Sequence, residues 1–172
     1  MTDHPEERRA ILRIHAVWQR LATHRLPSRA ALDPKEFGGD WRSCLIVPIV
    51  GDNGKPRGLS EKAFDPNVPR ERLACTLLSV AQHHISRALA TGKAVGYGGT
   101  ASHDGADILY RIVLLPLSED GAHIDALLVG VTYREIPPAS ELRVSDIAWC
   151  KSPLNLPHAG EKHRSVASES DP

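Results

Sequence analysis

A chain of 172 residues, 41% of them hydrophobic, can bury one domain-sized core with short appendages. Its 21 basic residues balance 21 acidic ones, so no long-range field holds a phosphate backbone, and nucleic acid is excluded as a primary partner. No apolar run approaches the ~20 residues that cross a bilayer. The opening MTDHPEERRAILRI has no leader-like apolar stretch, so a cytoplasmic chain without membrane contact is expected.

The elements follow in chain order. Asp3-His4-Pro5-Glu6 has the form of a capping box. Ile11, Ile14, Trp18 and Leu21 then recur at three- and four-residue steps, widened by Ala10, Val17 and Ala22. This predicts an amphipathic helix that stops by Leu26, because Pro27 disfavours helical backbone before it. A helix this short is marginal alone, so its stripe must pack on its own domain or on a second copy. Ile11, Ile14, Trp18 and Leu21 are therefore the candidate dimer contacts. Arg8, Arg9, Arg13, Arg20 and Arg25 read as its solvated face.

Residues 26–41 read as a loop with one helical turn after Asp33-Pro34, closed by Gly38-Gly39. Cys44 to Val50 is a short apolar strand, with Pro48 marking an edge or bulge. Asp52-Asn53-Gly54 turns the chain, and Lys55 to Asn67 offers no convincing strand. A second helix is predicted from Pro69 to Ala90. Its buried face is Leu73, Leu77, Leu78, Ala81, Ile85, Ala88 and Leu89, and Gly92 stands just past its end. Three strands are expected at 93–100, 107–117 and 122–133. Asp104-Gly105 turns between the first two and Asp120-Gly121 between the last two. Past Pro137-Pro138 the pattern fades, although Leu142, Val144, Ile147 and Trp149 could dock, and residues 158–172 read as a disordered tail.

Little of this pattern carries reaction chemistry. His83 and His84 point about 100° apart on a helix and do not face one ion easily, so one should be core-facing with its nitrogen satisfied and the other wet. Gly96-Tyr97-Gly98-Gly99-Thr100-Ala101 echoes a dinucleotide fingerprint, but a helix precedes it where a strand is required. Its glycines read better as a bulge or a close backbone approach. Cys44, Cys75 and Cys150 suit neither a disulfide framework nor paired zinc ligands, and no G-x-S-x-G elbow exists. No metal, cofactor or catalytic residue is assigned. Arg111, mid-strand among apolar neighbours, is expected to be exposed.

Leu26-Pro27-Ser28-Arg29-Ala30-Ala31-Leu32-Asp33-Pro34, after a Trp-bearing helix, resembles the opening signature of an alphaproteobacterial PAS-type family. Tyr110 to Ser118, with Asp120-Gly121 and Ile124-Asp125, resembles that family's closing hairpin. The resemblance spans about residues 10 to 135. It implies an α+β, PAS-like fold: about five antiparallel strands with helices packed on one face, preceded by the amphipathic helix and often dimeric through it. The polar stretch 51–67 leaves the second strand degenerate and the usual ligand cavity in question. The implied domain plan is a capping or dimerisation helix at 1–26, the PAS-like domain at 27–135, an extension at 136–157 and the tail at 158–172. In such a domain the sheet face under the long helix holds the ligand, which makes Tyr110, Ile112, Leu114, Leu128 and Gly130 the pocket candidates. The same side chains serve equally as plain core.

The expected function is a non-catalytic sensory or regulatory module. It would bind a small molecule of unknown identity, a signalling protein or a second copy of itself. The alternatives are an enzyme whose site the sequence does not reveal and a purely structural scaffold.

Overall fold

The computed structural model describes residues 4–52, 55–59, 67–79 and 82–136. Asp3 of the capping box, the Asn53-Gly54 turn, Ala81, Cys150, the extension after Ile136 and the tail lie outside the described residues.

The order of elements is α1 (His4–Leu21), α2 (Pro34–Phe37), β1 (Cys44–Asp52), β2 (Lys55–Leu59), α3 (Pro69–Ser79), α4 (Gln82–Thr91), β3 (Val95–His103), β4 (Ala106–Leu117) and β5 (Ala126–Glu135). Four strands form one antiparallel ladder, β1-β5-β4-β3, and the short β2 hairpins onto the far end of β1. β1 changes partner at Pro48: residues 44–48 pair with β5, and Ile49 onward with β2. A residue without a backbone N–H is well tolerated where one ladder ends. The strand at Lys55–Leu59 corrects the expectation of none there. Its pairing is set by the backbone of β1, and its own residues carry no apolar alternation to advertise it.

Local chemistry explains several boundaries. The Asp33 side chain accepts from the Lys35 N–H at 2.9 Å, and Pro34 opens α2 in the position it favours. Gly92, at φ 63°, donates to the Ala88 carbonyl and ends α4 as expected. The β3–β4 turn is a two-residue one with Asp104 at φ 51° and Gly105 at φ 79°, the left-handed pair that matches strand twist. The other Asp-Gly behaves differently. It sits inside an eight-residue loop, 118–125, and β5 begins only at Ala126.

That loop is held by its own carboxylates. Asp120 Oδ1 accepts from the backbone N–H groups of Ala122 and His123 at 2.8 Å and from Ser118 Oγ at 3.0 Å. The Glu119 N–H donates to Asp125 Oδ2, and the Ser118 N–H donates to the Pro27 carbonyl. An Asx-type turn thus replaces the tight hairpin that the dipeptide suggests. The helix expected from 69 to 90 is described as α3 and α4, on either side of residues 80–81, and the apolar faces of both cover the same side of the sheet.

The expectation of helices on one face is also corrected, because both faces are covered. α3 and α4 lie over Val95, Tyr97, Tyr110, Ile112, Leu114, Leu127, Val129 and Val131. On the other face α1 lies over Val113, Leu115, Leu117 and Leu128. Ile11 and Ile14 are fully buried there, and Trp18 is 4% exposed. Trp18 Nε1 donates to the Pro116 carbonyl at 3.0 Å. A Cβ at Gly130 would lie 3.0 Å from Val113 and 3.2 Å from Ile14, so Gly130 is the notch that seats Ile14. Ile11, Ile14 and Trp18, with half-buried Leu21 beside them, are intramolecular core rather than a dimer seam. The stripe is already spent on its own sheet.

Replacing Ile14 by Ala should therefore cost about 2–5 kcal/mol, as cavity-forming core truncations do. Urea unfolding reads the loss, and light scattering should show the same oligomeric state before and after.

Candidate functional site

The pocket residues proposed from the sequence do not share one face. Tyr110, Ile112 and Leu114 point toward α3 and α4, whereas Leu128 and Gly130 point toward α1. Cross-strand partners share a face: Leu114 pairs with Val129 and Ile112 with Val131. The β5 contribution to the α3/α4 face is thus Leu127, Val129 and Val131. Ile112 and Leu114 are fully buried among leucines and isoleucines, and the middle of this layer is plain core.

Chemistry gathers at one place on that face. α4 turns His84 inward on the same stripe as Ala88, four residues on, while His83 and Arg87 take the exposed side. The His84 ring lies flat on Tyr97 of β3, with centroids 4.2 Å apart and planes within 7°. Tyr97 in turn meets Tyr110 of β4 edge to face at 6.1 Å. Gly99 makes this possible: its missing Cβ would sit 3.3 Å from the Tyr110 hydroxyl, so the tyrosine ring lies across bare backbone. At Gly98 a Cβ would fall 2.8 Å from the Tyr110 carbonyl and 3.3 Å from Arg111. Both glycines mark close approaches.

Two polar atoms in this cluster are buried with no hydrogen-bond partner among the described residues, Tyr97 Oη and His84 Nδ1. Burial raises the Tyr97 hydroxyl well above its ordinary value, with the neighbouring Tyr110 adding to the shift, and burial also raises Tyr110. Burial lowers His84 from its usual 6.5, and the nearby charges of His83 and Arg87 lower it further. At neutral pH the cluster is therefore three uncharged, hydrogen-bond-capable groups against an apolar floor. One histidine faces inward and the other outward, as expected. The inward nitrogen is unsatisfied, which corrects the expectation, because the stacked tyrosine offers its ring face rather than an acceptor. The sequence reading missed Tyr97; its place two residues after Val95 on a half-buried strand was the available signal.

Other groupings hold less. Ser118, Asp120 and His123 lie together, with His123 Nδ1 2.7 Å from Asp120 Oδ2. Asp120 stands between the other two and itself accepts from the buried Ser118, so His123 does not reach that hydroxyl, and a carboxyl held below its usual range is a weak base. The arrangement is a loop brace. The His123 backbone N–H, its ring, the Ala122 N–H and Ser118 together hold the Asp120 carboxyl well below its usual 3.8. Among the described residues no group of three or more His, Cys, Asp or Glu side chains could hold a metal ion, and no helix is long and apolar enough to cross a membrane. Arg111, on the same side of β4 as Val113, is buried, contrary to the expectation of exposure.

No family model, curated protein or solved structure matches this chain.

Two pH effects follow. An unfolded His84 binds a proton near 6.5 that the folded site refuses, so stability should fall as pH drops below 6.5 and level off beneath the folded value. His84→Phe keeps the stack and should flatten that part of a melting-temperature profile between pH 7 and 5. For Asp120 the slope has the same sign from the opposite cause, since the folded loop favours its charged form: its contribution is complete above 3.8 and is lost as pH falls from there through the folded value. The melting difference between the native protein and Asp120→Asn should accordingly shrink below that pH.

Proposed function

We propose that the chain is a PAS-like, non-catalytic sensory or regulatory module whose ligand is a small molecule received at the His84–Tyr97–Tyr110 cluster. The observation that carries this reading is the pair of unpartnered atoms, Tyr97 Oη and His84 Nδ1, in a layer otherwise built of aliphatic side chains. Folded proteins satisfy nearly all buried polar groups, because a buried hydroxyl without a partner costs about 1–3 kcal/mol. A molecule that hydrogen-bonds to both would recover that cost on binding. The resemblance at residues 26–34 and 110–125 supports the same reading, as does an antiparallel sheet with helices against the face that carries the cluster.

The ligand chemistry follows from the groups. Neutral His84 and the two tyrosine hydroxyls make a site that is polar but uncharged. A compact molecule with one flat apolar surface and a donor–acceptor edge fits it. The signal would pass through α4, since that helix carries His84.

Tyr97→Phe tests this directly, because the sign of its effect differs between the bound and free protein. Without ligand the variant should be more stable by about 1 kcal/mol, having lost an unpaired hydroxyl. For a chain of this size that is a melting increase of roughly 2–4 °C. A small-molecule library screened by thermal shift should stabilise the native protein and fail on the variant. A destabilised phenylalanine variant, together with no library hit on the native protein, would sink the reading.

A further inference from the structure

We infer that β3 is an interface strand, and that its occupant is β3 of a second copy of this chain, paired antiparallel across a two-fold axis near Gly99. β3 ends the ladder. Its inner side pairs with β4 over all nine positions from Val95 to His103. No described residue hydrogen-bonds to its outer side: the backbone bonds outside the ladders and helices involve no residue of the strand. α3 and α4 lean on its face, through Val95 and Tyr97, and among the described residues nothing pairs with the edge.

Protein sheets ordinarily protect such edges with charge, proline, bulges or brevity. β3 uses none of them. It is nine residues long against the usual five or six, it pairs without a register break, and from Val95 to Ser102 it carries neither a charge nor a proline. Gly96, Gly98 and Gly99 keep it slim, and Gly98, Thr100 and Ser102 are exposed along it.

The absence of charge also selects the occupant. In an isologous antiparallel pair the strand meets its own reverse, so a charged residue near the axis would approach its like. A strand with no Asp, Glu, Lys or Arg from Val95 to Ser102 is self-complementary at no electrostatic cost. A basic or acidic partner segment, by contrast, would find no complementary charge on it. The edge contact also takes the place of the first helix as the route to a dimer, since Ile11, Ile14 and Trp18 are consumed inside the monomer. It stands independently of any ligand at His84 and Tyr97.

The experiment is analytical ultracentrifugation with hydrogen exchange on the full chain. The native protein should dimerise, and its β3 amides should gain protection as concentration rises while those of β4, already paired on both sides, do not change. Thr100→Lys with Ser102→Lys replaces two exposed side chains by charges near the axis, and should leave a monomer with native circular dichroism. A native protein that is monomeric at its highest attainable concentration overturns the inference. So does a dimer whose β3 amides show no concentration dependence, which would place the contact elsewhere and would also cover the case in which the double variant fails to fold.

Discussion

The structure depends on β4 being buried on both faces at once. From Ile108 to Leu117 all ten residues are buried, with Ile108, Tyr110, Ile112 and Leu114 under α3 and α4 and Val113, Leu115 and Leu117 under α1. Each face alone would give a half-exposed sheet with alternating polar positions. Covering both makes a three-layer body, helix on sheet on helices, in which β4 and β5 are shared by two cores. Taking away either helical layer would expose a continuous apolar sheet. Neither α1 nor the α3–α4 pair is therefore an accessory.

The same constraint separates what can be read in the sequence from what cannot. The stripe of α1, the cap at Asp33, the stop at Gly92 and the turn at Asp104-Gly105 are local signals, each with a local physical cause, and all are legible. Strand parity is not. A strand covered on both sides loses its period of two and reads as an unbroken apolar run. For that reason Leu128 and Gly130 look like partners of Ile112 and Leu114 until the register puts Val129 and Val131 in their place. Arg111 looks exposed because a charge in a strand is expected on a wet face, and from Ile108 to Leu117 β4 has none. Two sequence expectations were complementary halves of one contact: Ile14, read as a dimer anchor, fills the notch at Gly130, read as a pocket wall.

The site shows the same division. Tyr110 and the inward turn of one histidine were visible in the pattern; the stack of His84 on Tyr97 was not, because it joins a helix to a strand through tertiary placement alone. The two Asp-Gly dipeptides make the point again. One closes a two-residue hairpin, while the other is absorbed into a loop whose carboxylates bind its own backbone and whose Ser118 reaches Pro27. Identical residues, different neighbours: the flanking strand ends decide the loop length, and Asp120 then stabilises whatever conformation that length allows.

The bond from Trp18 to Pro116 spans 98 positions of the chain. On a ribosome that adds roughly 5–20 residues per second, the opening helix would emerge with its oily side bare and wait on the order of 5–20 seconds for the strands that cover it. Its indole hydrogen bond can close only once β4 is in place, and a nascent chain halted before residue 116 would present the stripe to any chaperone that recognises exposed aliphatic surface.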